Sequence, residues 1–596
     1  MWNFLKRFRD PGKPNLTDSA PRGNFVREFV SDGYVVRVDE SNQTLKLHAE
    51  EDDLVWQGTP LIPTFASITS IKRSVLSESF VSASMLAFKA KQFDDGLYAA
   101  VEVAAQQGAG KYLGKISLLK ELTQVLARGR LQGEMSAVVF AAARLGAVPV
   151  EQASTMELAV ARQIERFLAD EKASKVLGFY TWTQELNRIF QQDRMLQSKV
   201  SDRRAVDEVA RALCECGSAY ATYVDYLTLI SRLTNPLAAE DLRDRLGHPA
   251  LDDTGPVSSC SFFPPSRAYE TDLVKQLHEN TPIPEGFNLV REMVQRIRDG
   301  RLSLKPTEKS GWYDYQTWAL EPLVLPEKMP EAAKLKFSEE YREHLVELFK
   351  GTIALTRETH VKQLEIYDTF GGGPSPPPRK EIYVSPQLSL EPLAAFYGRR
   401  AITYSFIREV LVDTFGPDGL KKMRRMTPDG PMELPLEDEL GQMFALFRDA
   451  HGCVNCQLAL PPSNALPPLP DSNAAISTFQ DWASGVGKDP DLVRDPRMMV
   501  PVFYDVPREK TKVWVVLGWG MRPLSISYVS PPMVQVKDKN GRAADKEIDI
   551  KFSDQYEFAA YPVSAEVYVS RLLNREEFQE HCNRHRTREE ILANLT

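Results

Sequence analysis

Apolar positions through the first half of the chain recur every three to four residues. Leu118, Leu119, Leu122, Val125 and Leu126 fall on one face, and Met156, Val160, Ile164 and Phe167 on another, so the spacing predicts amphipathic helices between residues 67 and 233. Thr181 and Gln184, at capping-box spacing ahead of Leu186, Ile189 and Phe190, predict a further helix start. Before this region, residues 34–38 and 44–47 alternate in the manner of short strands and predict a small hairpin. Helical periodicity returns through Leu289, Val290, Met293 and Ile297, and a long helix is expected over residues 331–367. From residue 498 to 558 the period becomes two. Residues 500–503, 513–517, 524–528 and 548–552 predict strands, and Asn540-Gly541 predicts a type I′ hairpin turn. A basic, polar helix over residues 575–595, with Thr587 and Glu590 at capping-box spacing, is expected to follow.

These elements predict a mainly α (α+β) protein with a large multi-helix body, a small antiparallel β-rich module near the C-terminus and a final helix. Breaker residues divide it into seven parts. An amphipathic segment and proline-containing tail occupies 1–22, a hairpin followed by helices 23–248, and a second helical region 249–370. A Gly/Pro linker spans 371–380, a helical region with a Pro-rich loop 381–497, the β-rich module 498–570 and the C-terminal helix 571–596.

With 596 residues, 43% hydrophobic and 26% charged, the chain has an ordinary globular balance. A net charge of −8 argues against nucleic acid as a partner, because phosphate binding rests on clustered cations. Lys421, Lys422, Arg424 and Arg425, beside Met423 and Met426, read as one solvated helix face. Six cysteines are too few for a disulfide scaffold in a chain of this length and fit a reducing compartment. No apolar run follows the first cations as a secretory signal requires, and the apolar stretch 135–150 is too short for a membrane span and contains Arg144 and Pro149. A cytoplasmic location is expected.

The densest set of metal-ligand residue types is His451, Cys453 and Cys456 in HGCVNCQ with His581, Cys582 and His585 in HCNRH. A CxxC turn aims two sulfurs at one point and histidines four apart share a helix face, so the two segments together could form a tetrahedral zinc site joining the last helix to the loop before the β module. The competing reading is a packed thiol pair and a solvated basic helix. In HCNRH, Cys582 stands where a metalloprotease carries its general-base Glu, which removes that mechanism. His344 with Glu340, and His360 with Glu358, read as structural salt links. Gly108-Ala109-Gly110-Lys111 lacks the spacing and the Ser or Thr of a P-loop. Trp2, Phe4, Leu5 and Phe8 can gather opposite Lys6, Arg7 and Arg9, a pattern suited to docking on a partner groove or to weak peripheral membrane contact through residues 2–9.

Several short segments recur in a recognisable order. They are Asp32-Gly33-Tyr34-Val35-Val36, Ile62-Pro63-Thr64-Phe65, Arg357-Glu358-Thr359 with Lys362-Gln363, Leu390-Glu391-Pro392 with Phe396-Tyr397, Leu517-Gly518-Trp519-Gly520 with Ile526, and Tyr556-Glu557-Phe558 before Arg571-Leu572. In that order, over most of the chain, they resemble the bacterial and archaeal domain-of-unknown-function 3160 family. The resemblance implies a large helical body with a β-rich end and no particular activity. Relatives carry an Asp and a His after the Ile-Pro segment where this chain has Thr69 and Arg73, so chemistry resting on that pair is not expected here. With no complete catalytic constellation in the sequence, the expectation is a noncatalytic scaffold or adaptor of the bacterial cytoplasm with a protein partner. The alternative is a metal-dependent hydrolase or other metalloenzyme using the His/Cys zinc site.

Overall fold

The computed structural model describes residues 26–31, 34–39, 45–49, 80–150, 156–246, 259–278, 283–284, 286–330, 335–337, 339–364, 388–458, 460, 472–528, 533–537, 555–585 and 587–595. The amphipathic segment with Trp2, Phe4, Leu5 and Phe8, the 371–380 linker, the Pro-rich loop at 461–470, the Asn540-Gly541 turn and the strand expected at 548–552 lie outside the described residues. The fold is mainly helical, with an antiparallel β module and helices after it, as the hydrophobic periods predict.

The helices that position the site are α1 (Ala83–Gln107), α2 (Lys115–Arg128), α3 (Gln184–Leu196), α4 (Gly217–Leu233), α5 (Trp312–Val324), α6 (Glu339–Thr359), α7 (Ala394–Phe415), α8 (Leu436–Leu458) and α9 (Arg575–Asn583). In α2 the predicted face is the buried one, with Leu118, Leu119, Leu122 and Leu126 inside and Val125 half-buried. Helix α1 departs from amphipathicity, because only Lys89, Val103 and Gln107 escape full burial. A helix enclosed on all sides is expected to be apolar throughout, yet α1 carries a polar stripe that recurs at Lys91, Asp94, Asp95, Tyr98, Glu102 and Gln106. The turn between α1 and α2 contains the Gly108-Ala109-Gly110-Lys111 sequence. Gly110 has φ 56°, and a Cβ there would meet the Phe415 carbonyl oxygen at 1.8 Å, so close packing against the end of α7 accounts for that glycine.

Strands β1 (Val26–Ser31) and β2 (Tyr34–Asp39) form a hairpin, which corrects the one expected between residues 34–38 and 44–47, because the strand over residues 45–49 joins the larger sheet instead. Strand β3 (Leu45–Ala49) lies parallel to β4 (Leu335–Phe337), and β5 (Arg424–Thr427) pairs with β6 (Gly430–Pro435). In the C-terminal module β7 (Met498–Asp505) pairs with β8 (Lys510–Tyr528), β9 (Met533–Lys537) pairs with β2, and β10 (Gln555–Val569) runs antiparallel to β8. The larger sheet has the order β10-β8-β3-β4 with β7 also on β8, so N-terminal and C-terminal strands share one sheet. Helix α6 packs against β8 and β10 as well as against α1 and α5. Its C-terminal end therefore sits between sheet and helices, and buried apolar side chains from α1 through β10 form one continuous core.

Several local expectations are corrected. Thr183 caps α3, accepting from Leu186 N, because the Thr181 hydroxyl is engaged by the Gly178 carbonyl in a 3-10 turn. The long helix expected from residue 331 begins at Glu339, after β4, and ends at Thr359. The closing helix is two helices, α9 and Arg588–Ala593, the second capped by Thr587 as expected and α9 by a capping box of Asn574 and Glu577. Arg424 and Arg425 lie in β5 rather than on a solvated helix face. Arg425 is buried, 2.9 Å from both Glu439 Oε1 and Asp491 Oδ1.

Candidate functional site

The last turn of α6 and the turn after it, residues 357–363, lead into the centre of the body. Each of Arg357, Glu358, Thr359, His360, Lys362 and Gln363 is buried, and each polar side chain reaches a partner from another part of the chain. Backbone bonds from His360 N to Arg357 O and from Gln363 N to His360 O wind the segment, which fans consecutive side chains outward instead of leaving them on one face. The stripe on α1 supplies many of the partners.

Four connected groups surround this segment. Arg357 pairs with Glu270 and donates to the carbonyls of Pro501 and Val502, both at 3.1 Å, which fixes the helix end to β7. Glu358 and Asp95 together face Lys91 and Arg575, with Arg575 2.9 Å from Glu358 Oε1 and 3.2 Å from Asp95 Oδ2. Thr359 donates to Asp95 Oδ1 at 2.7 Å. Lys362 lies 2.5 Å from Glu102 Oε1 and 2.6 Å from Asp193 Oδ2, and Lys115 shares both carboxylates at 3.6 and 2.5 Å. Tyr180 and Tyr226 donate to Glu102 and Asp193.

His360 forms the fourth group. Its Nε2 is 2.8 Å from Gln316 Oε1, its Nδ1 is 3.2 Å from Thr234 Oγ1, and Tyr98 OH is 2.8 Å from the same Thr234 oxygen. Gln316 Nε2 donates to Asp94 Oδ2 at 2.8 Å, which leaves Gln316 Oε1 to accept, so the network assigns the proton to His360 Nε2. Donation then runs in one direction, from Tyr98 through Thr234 to Nδ1 and from Nε2 through Gln316 to Asp94. The rings of Tyr98, Trp312 and Tyr313 stand edge-on around the imidazole at 5.2, 5.7 and 5.1 Å.

Charge balance explains how so many ions tolerate burial. Lys91, Lys115, Arg357, Lys362, Arg400 and Arg575 face Asp94, Asp95, Glu102, Asp193, Glu270 and Glu358, six cations against six carboxylates. Burial pushes Asp193 and Glu358 upward, but Lys115 and Lys362 in one case, and Arg575 and Lys91 in the other, override it and hold each at about 2. Burial raises Asp94 in spite of Arg400. His360 is driven well below its ordinary value by burial first and then by the charges of Lys91, Arg400 and Arg357, so it is neutral. A smaller group surrounds Glu391, which accepts from Tyr341 OH at 2.6 Å and from Ala83 N at the start of α1 at 2.9 Å, with His344 Nε2 at 3.3 Å. His344 thus faces Glu391, and His360 faces Gln316 and Thr234, rather than the glutamates nearest to each in sequence.

The structure does not gather the six candidate zinc ligands. HGCVNCQ is part of α8 and not a turn. Cys453 is buried, Cys456 half-buried, and His451 Nδ1 lies 2.9 Å from the Ala394 carbonyl. Cys582 is buried in α9, where burial pushes its thiol up to about 12. His581 Nε2 is 3.1 Å from the Ile591 carbonyl, and the His581 and His585 rings lie 4.9 Å apart. Among the described residues no three His, Cys, Asp or Glu side chains are grouped so as to hold a metal ion. No family model, curated protein or solved structure matches the chain. No helix among the described residues is long and apolar enough to cross a membrane.

Proposed function

We propose that this chain is a noncatalytic structural or protein-interaction protein, a scaffold or adaptor that works in the reducing cytoplasm. The observation that carries this reading is the closure of the polar centre on itself. Its charged side chains are at most 6% exposed apart from Arg575 at 13%, and each is occupied by an oppositely charged neighbour. A catalytic acid or base must reach the proton it transfers, and a group sealed and paired in this way instead holds elements in register. The six cysteines are all free thiols, which suits the proposed compartment.

The relationship to the domain-of-unknown-function 3160 family belongs to the same proposal. Arg357, Glu358, Thr359, Lys362 and Gln363, which carry part of the resemblance, lie in the buried network, and Glu391, which carries another part, anchors the smaller group beside it. On this reading the shared segments encode architecture. Elemental analysis of the tag-free protein tests the reading against a metalloenzyme. Stoichiometric zinc that disappears in both Cys453→Ser and His585→Ala would overturn it. Zinc well below one equivalent, together with a stoichiometric protein partner lost on deletion of residues 1–10, supports it.

A further inference from the structure

One cavity lies away from the buried network, at the open end of the β module, with a volume of about 320 Å³. That is the lower end of the range of small-molecule sites, roughly 300–1,000 Å³. It is lined by Arg508, Lys510, Lys512, Glu566 and Tyr568, with Gly286 at the rim. Strand alternation puts Lys510 and Lys512 on one face of β8, and the antiparallel register sets Tyr568 of β10 opposite Lys512.

The charges in this cavity are not equally free. Glu566 is engaged by Leu289 N at 3.0 Å, Trp514 Nε1 at 3.0 Å and Lys512 at 3.3 Å. Asp505, opposite Lys510 across the hairpin, is taken by the Arg508 guanidinium and by Arg508 N at 3.1 Å. Arg508 also donates to the Ile283 carbonyl and Lys512 to that of Phe287, both at 3.1 Å. Lys510 is half-buried and has no ion-pair partner among the described residues. Among the described residues the lining therefore presents Lys510 as a cation without a carboxylate partner, beside Arg508 and Lys512, each of which is paired with one.

We infer that this cavity binds a small organic molecule bearing an oxyanion, a phosphate monoester or a carboxylate, held by Lys510 and Arg508. The volume exceeds that of a bare ion, and Val567, Tyr568 and the lysine stems provide apolar wall for an organic body. The site is independent of the network around His360 and of the scaffold reading. Burial lowers the Lys512 ammonium despite Glu566, and an arriving anion would relieve that penalty.

Calorimetric titration of the full chain with phenyl phosphate, benzoate and inorganic phosphate tests the inference. Saturable one-to-one binding of phenyl phosphate or benzoate is expected, tighter than that of inorganic phosphate, and the stronger of the two identifies the acid group. Lys510→Ala should weaken it about tenfold or more, as loss of a charged hydrogen bond does, and Lys510→Arg should retain it. Since Lys510 has no ion pair among the described residues to break, both variants should melt as the native chain does. Absence of saturable binding for all three compounds, or equal affinity in Lys510→Ala, would overturn the inference.

Discussion

Replacing Lys362 with methionine keeps the buried stem and removes the ammonium. Two carboxylates, Glu102 and Asp193, then share Lys115 alone, at 3.6 and 2.5 Å. The isosteric change in packing is worth less than about 1.5 kcal/mol, whereas orphaning one partner of a buried ion pair costs roughly 3–5 kcal/mol. The electrostatic effect therefore dominates. It is also bounded, because the surplus carboxylate can take up a proton. Protonating a carboxyl of ordinary value at pH 7 costs about 4 kcal/mol, and at pH 5 only about 1 kcal/mol. The defect in Lys362→Met should thus be about 4 kcal/mol at pH 7, a large share of a typical total of about 5–15 kcal/mol, and should shrink to about 1 kcal/mol at pH 5. Urea unfolding followed by tryptophan fluorescence and far-UV circular dichroism measures both. The double variant Lys362→Met with Glu102→Gln removes the surplus charge and leaves an amide oxygen for the Tyr180 hydroxyl, now 2.9 Å from Glu102. Its loss should fall short of the sum of the single losses by about 1–3 kcal/mol. A defect under about 1 kcal/mol at pH 7, or one that does not change with pH, would refute the reasoning.

Acid unfolding should proceed in two stages. His360 is neutral in the fold while the unfolded chain gains a proton below about pH 6.5, so its contribution is full above that pH and declines as pH falls toward its depressed folded value. Glu358 and Asp193 contribute fully above the ordinary carboxylate range and lose that contribution as pH falls through about 2. Asp94, raised by burial, contributes in the opposite sense, at low pH, and offsets part of the loss. Urea midpoints should decline below about pH 6.5 and steeply below about pH 4, and a flat profile would contradict these assignments. Gly351→Ala in α6 would place a Cβ 2.2 Å from Pro562 Cγ and 2.8 Å from the Pro562 carbonyl oxygen. Overpacking of about 1–3 kcal/mol outweighs the helix propensity gain of about 1 kcal/mol, so thermal melting should shift down, and an upward shift would contradict the packing. Arg425→Met should destabilise by about 3 kcal/mol or more through its two buried acidic partners. Lys422→Met, at an exposed position, should stay within about 0.5 kcal/mol; equal effects would restore the solvated-face reading of that cluster.

Legibility followed sequence separation. The buried face of α2 and the strand period around residues 498–528 depend on neighbours three or two positions apart, and both are plain in the sequence. Residues 513–517 and 524–528 read as separate runs because Gly518, Gly520 and Pro523 interrupt them, yet β8 continues through all three against β10, so tertiary pairing overrode the local breakers. HGCVNCQ suggested a turn, but Phe447, Ala450, Val454 and Leu458 continue the buried period of α8 through it. The polar centre was the least legible feature, since Arg575 meets Glu358 and Asp95 from 217 and 480 residues away. Two local signs of it did exist. One was the inward stripe on the otherwise apolar α1, and the other an uninterrupted polar run at Arg357, Glu358, Thr359 and His360 where an amphipathic helix should have kept its apolar period.

The choice of ions for this centre has a physical logic. Buried ion pairs are often no more stabilising than apolar side chains of equal volume, because desolvation consumes most of the attraction. What they add is intolerance of misalignment. An apolar centre permits α1 to slide or rotate against residues 357–363 at modest loss, whereas here the same slip would strand several charges together, each at the price of orphaning a partner. Helix α9 completes the arrangement, because Arg575 is the cation that balances the paired carboxylates of Glu358 and Asp95 alongside Lys91. Arg575 is the most exposed of the network's charged side chains, and Lys175 with Glu577 at 2.7 Å holds the same helix from outside. A body organised in that way holds α1, residues 357–363 and α9 in one fixed register.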